Sequence, residues 1–200
     1  MFVCDSAAVR DSPPRVAALV AVVFALAGCG SSGKTIHSDD LSKLVLQRAD
    51  LPPGFAAFYQ GPQLSADQTG ARSDPKRFGR TGGWIARYNR GGSPKTRGPL
   101  VVASRVDLFK DAGGAKRDLE LYPAQLQQAG ARKIDVGRLG DQAFGVVMLR
   151  TGTVNVRSYA IAWREHNATA ELELNGFKLT LPEVLALARK QELRLRNAAR

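Results

Sequence analysis

The chain has 200 residues, 44% of them hydrophobic and 24% charged, the balance of a globular protein long enough to build one core. Its formal charge is +11 and its sequence pI is near 10.2. Such a charge favours acidic partners, whether nucleic acid, anionic lipid or an acidic wall polymer, without choosing among them.

Residues 1–15 are mixed and polar and end in Pro13, Pro14 and Arg15. Val16 to Ala27 is an uncharged apolar stretch that fits the h-region of an export signal. It falls short of the roughly 20 residues that a membrane-spanning helix needs. It closes on Leu26-Ala27-Gly28-Cys29, followed by the polar tract Gly30-Ser31-Ser32-Gly33. This arrangement resembles a bacterial lipoprotein signal with its lipobox. The resemblance implies cleavage between Gly28 and Cys29, and a diacylglycerol and an N-acyl chain on Cys29. It also implies a protein held on the extracytoplasmic side of the cell membrane. Several chains on one residue anchor stably, where a single chain binds only marginally. The n-region departs from the pattern, because Arg10 and Arg15 are offset by Asp5 and Asp11. An uncleaved signal anchor and a buried N-terminal helix are the alternatives. The expected organisation is a signal peptide over 1–28, a flexible tether over 29–37 carrying lipidated Cys29, and one domain over 38–200. If Cys4 leaves with the signal, the mature domain contains no disulfide.

In that domain SDDLSKLVLQRADL is expected to be a helix, capped by Ser38, with Asp39 and Asp40 in its first turn and Leu41, Leu44, Val45 and Ala49 on one face. Pro52-Pro53-Gly54 ends it, and Phe55 and Phe58 return the chain to the core. Residues 60–83, rich in Gly and Pro, are expected to form a long irregular loop, and such loops are usually functional or mobile. Trp84, Ala86 and Tyr88 alternate as a strand, and Leu100, Val102, Ser104, Val106 and Leu108 mark a second. Asp111 caps a helix that Pro123 kinks or splits and that Gly130 ends. Ala143–Arg150, Val154–Trp163 and ATAELELN form three strands joined by short turns at Thr151-Gly152 and Glu165-His166-Asn167. In the last of them Ala168, Ala170, Leu172 and Leu174 point inward, and Thr169, Glu171 and Glu173 outward. The chain closes on a helix opened by the capping box Thr180…Glu183, with Leu181, Val184, Leu185, Ala188 and Leu195 as its apolar stripe. The expected fold is α+β, in the order α-β-β-α-β-β-β-α, with an antiparallel sheet of about five strands and helices packed on it.

Three segments, LPPGF, SRVDLFKD and YAIAWREHNATAELELNGF, carry a likeness to a broader group. The domain resembles the extracytoplasmic domains of actinobacterial lipoproteins and the sensor ends of receptor kinases. That resemblance implies a sensory or ligand-binding role and supplies no set of functional residues.

Catalytic signatures are absent from the sequence. His37 and His166 are its only histidines, there is no HExxH, CxxC or GxSxG pattern, and the pairs Gly82-Gly83 and Gly91-Gly92 lack the Lys and following helix of a P-loop, so no metal site and no cofactor is implied. A Ser158–His166 pair has no supporting spacing. Glu171 and Glu173 stand at glycosidase-like separation, but on a strand they read as its solvated side. The distinctive signal is basic: Arg72, Lys76, Arg77, Arg80, Arg87, Arg90, Lys95, Arg97 and Arg105, interleaved with Trp84 and Tyr88 and opposed by Asp74. In a cytoplasmic protein this would point to nucleic acid. The export signal argues against that partner and favours anionic lipid, a wall polymer, a small ligand or another envelope protein. A lipid plus a polybasic surface forms a two-signal membrane arrangement. Trp84, Arg87, Tyr88, Arg90, Lys95 and Arg97 are the candidate contact residues. The reading is a non-catalytic, lipid-anchored ligand-binding or sensor-like domain of the cell envelope. An envelope hydrolase and a structural lipoprotein that binds anionic lipid or wall polymer are its rivals.

Overall fold

Alternating apolar residues in seven segments assemble one antiparallel sheet, with helices laid on its two faces. The computed structural model describes residues 34–37, 39–63, 77–127 and 130–200. Cys29 and the sequence around it therefore lie outside the described residues, as does 64–76, most of the expected loop. The described residues belong to one compact unit, Ser32–Arg200.

The strands are β1 (Ala56–Pro62), β2 (Arg80–Asn89), β3 (Val101–Phe109), β4 (Arg132–Ile134), β5 (Gln142–Arg150), β6 (Val156–Glu165) and β7 (Ala168–Gly176). Their spatial order is β1-β2-β3-β7-β6-β5-β4. Each half is a meander, and the halves join where β3 pairs antiparallel with β7, with Val106 opposite Ala170. The class is the expected α+β, with two more strands than anticipated. β1 and β4 were missed because the first is Gly- and Pro-containing and the second has three residues.

On one face of the sheet lies the main core, with Tyr88, Val102, Val106, Tyr159, Ile161, Trp163, Leu172 and Leu174 all buried. α3 (Leu181–Ala198) covers this face, and its capping box forms as expected between Thr180 and Glu183. Residues 41–51 lie on the same face, but not as the expected helix. They make two short 3₁₀ turns, Leu41–Leu44 and Arg48–Asp50. Asp40 caps the first by accepting from the Ser42 N–H. Leu44, Val45 and Leu46 are consecutive and all buried, which no single helical stripe provides. The Leu46 N–H donates to Ser104 Oγ (2.9 Å) and its carbonyl accepts from the Tyr88 hydroxyl (2.8 Å). Tertiary partners have taken over the backbone groups that a helix would have paired internally. Phe55 is buried, whereas Phe58 is 54% exposed, beside the bulge where β1 slips its register on β2.

α1 (Ala112–Leu119) and α2 (Tyr122–Gln127) cover one end of the second face. Asp111 caps α1 by accepting from the Gly114 N–H at 2.7 Å, and the helix ends ahead of Pro123. Thr169, expected to point to solvent, is buried under α1 and donates to Asp118 Oδ2 at 2.8 Å. Glu171 is buried as well, because Arg105 of β3 closes on it at 2.9 Å. Glu173, further along β7 and away from the helices, is exposed. Ile36, within the span read as tether, is 1% exposed. It forms a bridge with Ala199, and its backbone exchanges hydrogen bonds with the Asn167 side chain. Among the described residues no helix is long and apolar enough to cross a membrane.

Candidate functional site

The six candidate residues do not converge on one site. The alternation of β2 sends Trp84 and Tyr88 to the core face and Arg87 to the other. Trp84 is partly buried against the edge of the main core. Tyr88 is fully buried; its hydroxyl donates to the Leu46 carbonyl and accepts from Gln60 Nε2 at 2.8 Å. Burial pushes this phenol above its ordinary pKa, so it stays a neutral donor, with the Gln60 hydrogen bond opposing the shift. Tyr88 therefore braces the 41–51 segment, and as placed it meets no ligand at a surface.

Arg90, Lys95 and Arg97 lie in the connection from β2 to β3, at one end of the sheet. Arg90 is folded back on this loop: Nε donates to the Pro99 carbonyl at 2.7 Å and a terminal amino group to the Arg97 carbonyl at 2.5 Å. Its guanidinium also lies 5.2 Å from the centre of the Phe55 ring. Lys95 and Arg97 are exposed. Arg90 and Arg97 border an open cleft of about 460 Å³ with Pro52, Glu183 and Lys190. Several of its charged side chains are engaged by neighbouring groups. Lys190 Nζ donates to the Asp50 carbonyl, and Arg194 forms a 2.7 Å ion pair with the Asp50 carboxylate.

Arg87 belongs to a different place, the part of the second sheet face that α1 and α2 leave uncovered. Its guanidinium lies 5.6 Å from the Tyr59 ring centre, and it lines a polar cavity of about 260 Å³ with Gln63, Ile85 and Arg105. Gln63 is 5% exposed, and its side-chain oxygen has no hydrogen-bond donor among the described residues. Arg105 Nε is likewise buried without an acceptor, while NH1 of the same side chain holds Glu171. The next positions on this face form the floor of a second, mainly apolar hollow of about 320 Å³. The register ties the two together. Arg87 stands opposite Ala103, Ala103 opposite Glu173, Glu173 opposite Ala160 and Ala160 opposite Val146.

Sequence reading missed Gln63, and it missed that Arg105 belongs to this face in company with Glu171. The small side chains Ala103 and Ala160, on the strand positions that alternate with the core, are the one sequence signal that could have pointed here. His166 sits in a two-residue hairpin turn as expected, with φ +52, and is partly buried. Acids gather around it, but they are engaged. Asp141 accepts from the His166 N–H and pairs with Arg164, Glu192 pairs with Arg196, and Glu165 lies 3.6 Å from both His166 Nε2 and Arg196 Nε. Among the described residues no group of His, Cys, Asp and Glu is arranged to hold a metal ion.

No protein-family profile and no curated protein matches the chain. Among solved structures, the fold is similar to the extracellular domain of PknH from Mycobacterium tuberculosis, with a TM-score of 0.63 and 11% sequence identity. The likeness covers 82% of this chain and 98% of that one. At such an identity what is shared is the fold: an α+β domain built on an antiparallel sheet.

Proposed function

We propose that this protein is a non-catalytic ligand-binding or sensor-like domain of the cell envelope, held at the extracytoplasmic membrane surface by lipid on Cys29. The observation that carries the ligand-binding reading is the half of the second sheet face that α1 and α2 leave uncovered. There a polar cavity lined by Gln63, Arg87 and Arg105 opens beside an apolar hollow. Buried polar atoms ordinarily have partners, and here two of them border one cavity without any among the described residues. A concave, mostly apolar surface with a few placed polar groups is the usual form of a small-ligand site. The fold similarity to the extracellular domain of PknH supports the extracytoplasmic part of the reading, as does the lipobox-like Leu26-Ala27-Gly28-Cys29.

Native mass spectrometry of the protein extracted from membranes in mild detergent tests both parts. The expected result is a chain that begins at Cys29 with acyl mass attached, together with a population carrying a further non-covalent mass. Recovery of the unprocessed chain, with no acyl mass, overturns the anchor. A mature chain that carries no additional mass, and that takes none up from an envelope extract, overturns the ligand-binding reading.

A further inference from the structure

We infer that the open half of the second sheet face binds an acid with an apolar tail, whose head group carries a hydrogen-bond donor beside the carboxylate, as a hydroxy acid does. This rests on the ligand-binding reading above and gives that site its ligand chemistry. Three independent features select the class.

The first is charge. Arg87 and Arg105 both line the polar cavity, and Glu171 pairs with Arg105 at 2.9 Å. Arg150 borders the hollow at its far side, so cationic groups stand at both ends of the trough, with the carboxylate of Glu173 in the lining between them. A guanidinium fork matches a carboxylate in shape as well as charge.

The second is the unmet polar demand. Gln63, nineteen-twentieths buried, presents a side-chain oxygen with no donor among the described residues, in the same wall as Arg105 Nε, which lacks an acceptor. A bare carboxylate supplies acceptors only. A head group that also carries an O–H can serve both groups, after a small side-chain rotation that turns them toward the cavity.

The third is the floor. Ala103 and Ala160 keep it low on either side of Glu173, and Val101, Val146 and Met148 make the rest of it mainly apolar. Methionine in particular accommodates ligands of irregular shape. The Arg87↔Ala103 register places the floor immediately beside the polar cavity, so one molecule with a polar head and an apolar tail spans both.

The test is isothermal titration of the mature domain with three twelve-carbon probes kept below their micelle-forming concentrations: 3-hydroxydodecanoate, dodecanoate and dodecyltrimethylammonium. The expected order of affinity is hydroxy acid first, plain acid second and cation last, with at least tenfold between first and last. Arg87→Gln is expected to weaken the acids about tenfold, the scale of one lost charge-assisted contact. Ala103→Phe or Ala160→Phe, which raise the floor, are expected to abolish binding while the circular dichroism spectrum stays that of the parent. Gln63→Leu is expected to erase the preference for the hydroxy acid. Equal binding of acid and cation overturns the proposal, and so does unchanged acid binding in both floor variants. A parallel arm presents an envelope extract to the parent and to the floor variants. A compound retained by the parent alone, with no acid bound, defeats the acid assignment and leaves the ligand-binding site standing. Nothing retained by either defeats both.

Discussion

Single side chains settle what the basic, aromatic stretch of β2 does. Tyr88 looked like a contact residue because aromatic and basic residues interleave there, yet a strand separates neighbours onto opposite faces. Its hydroxyl ties Leu46 and Gln60 to the core face. Tyr88→Phe keeps the packing and removes the hydroxyl, so it is expected to cost about 1–2 kcal/mol in urea denaturation, from the buried Leu46 carbonyl left without its donor. It should leave ligand affinity unchanged; a loss of affinity without a loss of stability would return Tyr88 to the site. Glu165 makes a complementary case. It is buried, and Oε2 finds no donor among the described residues. Burial pushes its carboxyl above the ordinary value; Arg196 opposes the shift, Asp141 adds to it, His166 opposes it and Glu192 adds to it. The folded protein therefore holds this proton to higher pH than the unfolded chain does. The stability this group contributes is full below the ordinary carboxylate range and declines as pH rises through the elevated value. Glu165→Gln is accordingly expected to raise the melting temperature at pH 7 by about 3 °C, the shift that roughly 1 kcal/mol produces in a domain of this size. The gain should vanish near pH 4, at about the ordinary carboxylate pKa, where the native side chain is itself protonated. A lower melting temperature for the variant at pH 7 would mean that the Arg196 pairing outweighs the burial cost.

Secondary elements were legible in the sequence wherever their periodicity was driven by a single buried face. β5, β6, β7 and α3 follow from alternation and from the Thr180–Glu183 capping box. The 41–51 segment was misread because its apolar residues satisfy helical spacing and also a continuous buried run. What decides between them is a partner 58 residues away, Ser104, which takes the Leu46 N–H. Ser104 in turn donates to the buried Gln191 of α3 at 2.8 Å, and Gln191 donates to the Arg105 carbonyl at 2.9 Å. Long-range polar links of this kind leave no local pattern. For the same reason the second face of the sheet was not legible: Glu171 looks solvated until its register partner Arg105 is known. α1 shows the converse, since its Gly113 and Gly114 argue against a helix on propensity. A Cβ on Gly114 would stand 2.3 Å from the Phe78 carbonyl oxygen, so close approach to the 77–79 turn requires glycine there. Gly114→Ala is thus expected to destabilise the fold despite its better helix propensity, by about 1–3 kcal/mol as for other overpacked sites. Equilibrium unfolding measures this, and a stabilised variant would show that the turn moves away freely.

The whole molecule has two distinct ends, and the chain path says which one a lipid on Cys29 would hold near the membrane. Ile36 is pinned to Ala199 and to Asn167 of the β6–β7 turn, and Thr35 and Arg200 exchange backbone hydrogen bonds. The seven residue steps from Cys29 to Ile36 span at most about 25 Å fully extended. With lipid on Cys29, the β6–β7 turn would lie at the membrane-facing end. The loop with Arg90, Lys95 and Arg97 lies at the opposite end of β2, nine residues on from Arg80, or about 30 Å along the strand. α3 runs between the same two ends, from Glu183 beside Gly98 to Ala198 beside the Ile36–Ala199 bridge. If lipid is carried on Cys29 while Ile36 stays docked, lipid and basic loop would not grip one membrane surface together. With Ile36 docked and lipid on Cys29, Lys95 and Arg97 would project away from the membrane. Spin labels introduced by Ser93→Cys and, separately, Arg200→Cys in the lipidated protein on vesicles with nickel-chelating headgroups test the orientation. The label at position 200 is expected to relax strongly and the one at 93 weakly. Equal relaxation at both sites would mean that the domain lies flat, with the basic loop on the lipid. Strong relaxation at 93 alone would mean that the Ile36–Ala199 contact opens on the membrane and frees the tether to its full length.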